Sequence, residues 1–157
     1  MKFALVDRIT ELVPGRRITA VKALSLAEEY LADHFPRFPV MPGVLMIEAL
    51  VQSSAWLVRA TENFAHSMIL LSEARNVTYK SFVSPGQVLE LSVEVKELSP
   101  TSSRFVGVGR CGEVEMVKAR WSLRHFNLAD DNPGLARVDE TLIASARRQM
   151  DLLAPAA

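Results

Sequence analysis

The sequence predicts an α+β domain in which one long, buried helix lies against an antiparallel sheet, with an extra amphipathic helix at the C-terminal end. Three observations predict it. From Gly43 to about Thr61 there is no proline and no later glycine, and the helix formers Leu, Met, Ala, Glu and Gln dominate the first half. Five β-rich segments follow, with Pro85-Gly86, Ser99-Pro100 and Cys111-Gly112 as breaks. Within Val88 to Val95 the apolar residues Leu89, Leu91, Val93 and Val95 stand two apart, the period of a strand with one buried face.

In chain order, Phe3 to Val13 and Ile18 to Leu24 flank Pro14-Gly15-Arg16-Arg17 and read as an opening hairpin. Ser25 to Leu31 allows one or two helical turns. Between His34 and Gly43, Pro36, Pro39 and Pro42 prevent helix. Pro42-Gly43 then marks the entrance of a helix of about five turns. Val44, Leu45, Ile47, Leu50, Val51, Ala55, Trp56, Leu57 and Val58 cover most of its circumference, so it is expected to be the central element, buried on nearly all sides. The strand segments are Ser67 to Ser72, Asn76 to Phe82, Gln87 to Leu98, Arg104 to Arg110 and Glu113 to Phe126. After a turn-like stretch from Asn127 to Gly134, Leu142, Ile143, Ala146, Met150 and Leu153 recur near helical spacing within Val138 to Leu153. Residues 1–126 are thus expected to form the domain, and 127–157 a linker and helical extension.

A chain of 157 residues, 49% hydrophobic, can bury one core. Eighteen Lys and Arg balance eighteen Asp and Glu, so no net field draws in nucleic acid or an anionic membrane. Cys111 is the only cysteine, so no internal disulfide forms, as suits a reducing cytoplasm. The run Met1 to Val6 has one Lys and too short an apolar stretch for a signal peptide, which predicts a cytoplasmic protein. Glu48, Gln52 and Arg59 interrupt the most apolar stretch, so no membrane span is expected.

That interruption is where chemistry is expected. Glu48 falls in the second turn of a helix that is otherwise apolar, and loss of hydration there favours a neutral carboxyl able to donate a proton. Gln52 stands one turn further on the same face and can orient that carboxyl. Trp56 and Arg59 continue the stripe. The plainer account is an exposed polar stripe, but such a stripe would carry more charge than Glu48, Gln52 and Ser53 supply over the first three turns. His34 precedes Glu48 by fourteen residues across a stiff proline loop, which can bring a base and an acid together. His66 and His125 have no comparable setting and read as surface or strand-end residues. Gly43 opens the helix, where unpaired N–H groups can polarise a carbonyl and a glycine permits its close approach. Asp33, His34 and Glu48 lack a second His or Cys to complete a metal site, and no serine-hydrolase elbow, P-loop or dinucleotide fingerprint occurs.

The run D-H-F-P-R-F-P-V-M-P-G-V-L-M-I-E-A-L-V-Q, Asp33 to Gln52, resembles the active-site signature of the FabZ and FabA type of 3-hydroxyacyl carrier-protein dehydratases. F-A-L-V-D-R, A-V-K-A-L-S and V-T-Y-K-S-F-V-S-P-G look like further segments of that family in the same order, and the resemblance covers roughly Phe3 to Arg124. Glu rather than Asp at position 48 is closer to the FabZ branch. The resemblance implies a hot-dog fold, and dehydration of a 3-hydroxyacyl thioester on acyl carrier protein to the trans-2-enoyl thioester in fatty-acid or related synthesis. It implies that His34 takes the proton next to the thioester and that Glu48 protonates the departing hydroxyl. Gly43 N–H, with Val44, would hold the carbonyl oxygen, and no metal or other cofactor is needed. It further implies a homodimer in which His34 meets Glu48 of the partner subunit, with a trimer of dimers as the larger assembly open to it.

Three departures stand out. Asp33 and Arg37 replace small residues, and the chain starts at the first strand without the usual leading helical segment. Asp33 beside His34 would favour a charged imidazole and weaken it as a base. Arg37 at the site mouth is a candidate contact to a carrier protein, though it is equally well placed to be solvated. Two other readings share the fold: an acyl thioesterase, which releases free thiol, and a non-catalytic acyl-carrier-binding or scaffold subunit.

Overall fold

Gly15 takes φ +71° and the Arg16 N–H closes on the Val13 carbonyl at 3.0 Å, which folds β1 (Arg8–Val13) onto β2 (Arg17–Ala23) as the expected hairpin. These strands belong to a computed structural model that describes residues 3–154. The long helix α1 (Gly43–Thr61) follows, then β3 (Met68–Tyr79), β4 (Val88–Leu98), β5 (Ser102–Cys111), β6 (Val114–Phe126) and α2 (Ala136–Leu153). The six strands form one antiparallel sheet in the order β1-β2-β4-β5-β6-β3. This is the hot-dog arrangement, a sheet wrapped about one helix.

The alternation in β4 holds, since Leu89, Leu91 and Val93 are fully buried and Glu90, Ser92 and Glu94 face away. They pack with Ile18, Ala20, Phe105, Val117, Trp121 and Leu123 against Ala49, Leu50, Ser53, Ser54 and Leu57 of α1. Two serines serve this face because each satisfies its hydroxyl locally: Ser53 donates to the Ala49 carbonyl and Ser54 to that of Val51. Ser54 Oγ then accepts the Trp121 indole N–H at 2.9 Å, so the one polar atom of that large side chain is paired at the helix-sheet contact. A Cβ on Gly107 would sit 2.5 Å from the Trp121 ring, so glycine in β5 is what admits the indole.

The structure refines two sequence readings. Ser67 to Ser72 and Asn76 to Phe82 are one continuous strand, β3, because the intervening Glu73, Ala74 and Arg75 pair with Ser122, Trp121 and Arg120 of β6. The charged stretch is accommodated by register shifts at Leu71/Glu73 and Arg75/Thr78, with Asn76 at φ +52°. Ser25 to Leu31 yields only a single 3-10 turn, Glu29–Leu31.

The C-terminal helix is docked on the sheet domain. Arg147 donates to the Asn63 carbonyl at 2.8 Å and lies 4.5 Å over the Phe64 ring, while Leu153 is buried in the common core. At the other end the buried Asp139 carboxylate accepts the Ser67 hydroxyl and the N–H groups of Leu128 and Ala129. Burial alone would push this carboxyl up, but the Ser67 hydroxyl and the two backbone donors outweigh it and hold the group below its ordinary value. A native value below the unfolded one means that the contribution is present above about pH 4 and is lost as pH falls through the native value. Thermal unfolding followed between pH 6 and about pH 3 should therefore show a steeper acid loss for the wild type than for Asp139→Asn. Equal slopes would refute this anchoring role.

Candidate active site

The loop that carries His34 is pinned at both ends. Ahead of it, the buried Lys22 of β2 pairs with Glu28 at 2.7 Å and Asp7 at 3.3 Å, tying the incoming segment to the hairpin. His34 N–H donates to the Tyr30 carbonyl at 3.2 Å, and Phe35 then adopts φ +49°, a conformation costly for a non-glycine residue. Phe38 N–H closes the turn on the Phe35 carbonyl at 2.7 Å. Beyond it, Val40 and Met41 are buried, and the Met41 N–H reaches the Val83 carbonyl at 2.9 Å. The His34 ring is half-buried, edge-on to Phe35 with centroids 4.5 Å apart. Asp33 and Arg37 are exposed, and neither forms an ion pair among the described residues.

Where this loop enters α1, Pro42 supplies no side-chain cap, and its carbonyl accepts the N–H groups of Leu45 and Met46. The N–H groups of Gly43 and Val44 donate to no acceptor among the described residues, leaving two aligned donors at the positive end of the helix. A Cβ on Gly43 would lie 2.9 Å from the Tyr79 ring, so glycine here permits β3 to close over the helix start. Val44, placed by sequence on the buried surface of α1, is instead 70% exposed. Phe35, Phe38, Tyr79 and Phe82 are likewise exposed, so the described residues leave an apolar rim uncovered around the helix start.

Glu48 is half-buried, and its Oε1 accepts the Gln52 amide at 3.0 Å, as the four-residue spacing predicts. Gln52 is itself clamped: its Oε1 accepts the Leu5 N–H and its Nε2 donates to the Phe3 carbonyl, both at 2.9 Å. This clamp was not legible in the sequence, since nothing local links Phe3 to a residue 49 positions away. Both residues line a cleft of about 270 Å³ with Phe3, Val51, Trp56 and Arg59 among its walls. His34 is not among that lining, and it makes no hydrogen bond or ion pair with Glu48 of its own chain. The lining of the Glu48 cleft thus holds no histidine among the described residues.

Of the other two histidines, His66 is half-buried just ahead of β3, whereas His125, at the end of β6, is buried rather than on the surface. His125 is fully buried, sharing hydrogen bonds with Ser103 at Nε2 (2.7 Å) and Glu62 at Nδ1 (3.1 Å), and Glu62 also meets His66 Nδ1 at 2.8 Å. Burial holds the His125 imidazole below its ordinary value, against the opposing pull of Glu62. Only long-range pairing of β6 with the end of α1 places these groups together. Their side-chain atoms lie close enough to hold a metal ion, although every one of them has a hydrogen-bond partner that accounts for its position.

A helix wrapped by an antiparallel sheet, with an acid on the helix and open N–H donors at its start, defines a protein of the hot-dog fold. Comparison with known proteins narrows this. The model of the FabA-like domain matches residues 1–116. A FabZ 3-hydroxyacyl-[acyl-carrier-protein] dehydratase of Wolbachia pipientis is 33% identical over 117 residues, spanning 74% of this chain and 82% of that one. Its namesake in Bordetella pertussis is 38% identical over 112 residues, spanning 66% and 72%. Among solved structures, the dehydratase heterocomplex ApeI:P from Xenorhabdus doucetiae superposes with a TM-score of 0.70 over 85% of this chain and 90% of that one. At 17% identity that match bears on the fold alone. The chain belongs to the FabA-like family, among the 3-hydroxyacyl-[acyl-carrier-protein] dehydratases of the FabZ kind.

Proposed function

We propose that this protein removes water from 3-hydroxyacyl chains carried on acyl carrier protein, giving the trans-2-enoyl thioester for fatty-acid or related acyl-chain synthesis. The observation that carries the reading is the Glu48 carboxyl held by Gln52 in a cleft on α1, downstream of the unpaired donors of Gly43 and Val44. In this reading the thioester carbonyl accepts from Gly43 N–H, and Val44 adds a further donor or lines the pocket. Neutral His34 takes a proton from C2, and the C2–H electron pair moves toward the carbonyl as an enolate, where fixed donors contribute most. The enolate then forms the C2–C3 double bond as the C3–O bond breaks. Glu48 protonates the departing hydroxyl, which leaves as water. Gln52 keeps the acid in place, and the scheme draws on no metal or redox cofactor.

As the family resemblance implies, each site joins His34 with Glu48 of the partner subunit in a homodimer; His34 does not line the Glu48 cleft of its own chain. Strand β3 is suited to be the seam: it ends the sheet with an unpaired edge and carries exposed Leu70 and Leu71. Pairing two such edges would place the apolar rim of each helix start beside its neighbour's α1, and dimers of this kind can assemble further into a trimer of dimers. Arg37, exposed on the His34 loop, is placed to meet an acidic or phosphorylated carrier. None of the described helices is long and apolar enough to cross a membrane, and we place the enzyme in the cytoplasm.

The deciding experiment incubates the purified protein with 3-hydroxyacyl carrier-protein thioesters of several lengths and follows enoyl formation by mass and ultraviolet absorbance, with a thiol reagent in parallel. Loss of one water without thiol release is expected. Thiol release without a double bond would make the protein a thioesterase. Tight binding without turnover by an intact dimer would make it a carrier-binding subunit.

A further inference from the structure

The cleft that holds Glu48 continues along α1 to Arg59, a cation without a counterion among the described residues. Glu48, Gln52, Ala55 and Arg59 lie on one stripe of the helix, and the rise from Glu48 to Arg59 is about 16 Å. Between the two ends the walls are apolar: Phe3, Val6, Val51, Ala55, Trp56 and Ile69. At the far end Arg59 is half-buried, with its guanidinium 5.0 Å over the Trp56 ring, which fixes its position without neutralising it. No carboxylate pairs with Arg59 among the described residues, and its side chain makes no hydrogen bond. Burial pulls the guanidinium down from its ordinary value, a cost that an anion at this spot would offset. Glu48 is the only acid in the lining and stands at the opposite end, while Gln52 is committed to Glu48, Leu5 and Phe3. Gln149 of α2 lines the same cleft and adds only an uncharged polar group.

We infer that Arg59 is a specificity-determining residue that receives a carboxylate at the distal end of the acyl chain, so that this dehydratase favours 3-hydroxyacyl thioesters ending in a carboxylate over those ending in a methyl group. The inference rests on the dehydratase reading, which sets the thioester at Gly43 and directs the chain past Glu48 toward Trp56. A site with a methyl-terminated chain fully seated would bury the Arg59 charge against hydrocarbon and leave its donors unpaired. A terminal carboxylate supplies both the charge and two acceptors, the geometry a guanidinium binds best.

The test measures kcat/KM for two matched series of 3-hydroxyacyl carrier-protein thioesters, one ending in carboxylate and one in methyl, across chain lengths. The wild type should favour the carboxylate series by about tenfold or more at the length that reaches Arg59. Arg59→Met should bring that ratio to near one or below, and Arg59→Lys should keep part of it; thermal melting of each variant checks folding. Turnover of methyl-terminated chains with no carboxylate preference in the wild type would overturn this inference and leave the dehydratase standing, as would a preference that survives Arg59→Met. If Arg59→Met does not fold, the wild-type ratio together with that of Arg59→Lys decides. Failure to turn over either series at any length would instead overturn the dehydratase reading, and this inference with it.

Discussion

His34→Ala and Glu48→Gln should each lower kcat by about 10² to 10⁴, the usual contribution of a positioned acid or base, and mixing the two inactive proteins should restore activity. Restoration follows from the proposed arrangement, in which each site joins His34 of one subunit with Glu48 of the other. In a mixed dimer, one site combines the altered histidine position with the altered acid and is dead. The other combines intact His34 with intact Glu48 and works. After unfolding and refolding together in equal amounts, half of the dimers are mixed and each holds one working site of two, so about a quarter of wild-type activity returns. The measurement is enoyl formation by the co-refolded mixture against each variant refolded alone. Full inactivity of a mixture shown to contain mixed dimers would place both groups in one chain's site and sink the shared arrangement. Glu48→Gln suits this test because its amide keeps the volume and can still bond Gln52, so the Gln52 clamp to Leu5 and Phe3 stays in place.

Leu50→Ala should cost about 3 kcal/mol of stability, within the range seen when a fully enclosed leucine is truncated and the cavity cannot collapse. Leu50 has no exposed surface and sits midway along α1, where the sheet encloses the helix. The helix cannot move into the void, because Ser54 is bonded to Trp121 on one side and Gln52 to the N-terminal segment on the other. Denaturant unfolding should show an earlier midpoint with an unchanged slope, and heating should show a melting point lower by about 6 to 12 °C. Leu152→Ala is the control, since that leucine is 80% exposed on α2, and its effect should stay within about 0.5 kcal/mol. A Leu50→Ala cost below about 1 kcal/mol would mean that the centre of the helix is loosely packed.

The sequence by itself determined the elements whose cause is local. The bounds of α1 follow from Pro42-Gly43 at one end and the run of helix formers behind it, and the helix observed is Gly43–Thr61. The first hairpin follows from Pro14-Gly15, the buried face of β4 from its two-residue period, and the Glu48 to Gln52 contact from the turn of a helix. The proline loop, the helix start and the acid are contiguous in the chain, so the family and the candidate pair His34 and Glu48 could be read before any fold was known.

Only the tertiary structure decided what depends on residues far apart in the chain. The charged stretch 73–75 divides two β-rich segments in the sequence because local preference carries no information about β6, whose ladder holds it as strand. Val44 looked buried because helical periodicity reports which residues are apolar, not which of them a neighbour covers. Nothing local marks His125 as buried, because Glu62 and Ser103 reach it only once β5, β6 and the end of α1 have come together. Phe3 and Leu5 clamping Gln52, and Arg59 in the Glu48 cleft without an ion pair among the described residues, belong to the same class. The physical reason is common to all of them: the pattern of side chains along an element fixes its own shape, whereas burial and hydrogen-bond partners are properties of the space between elements.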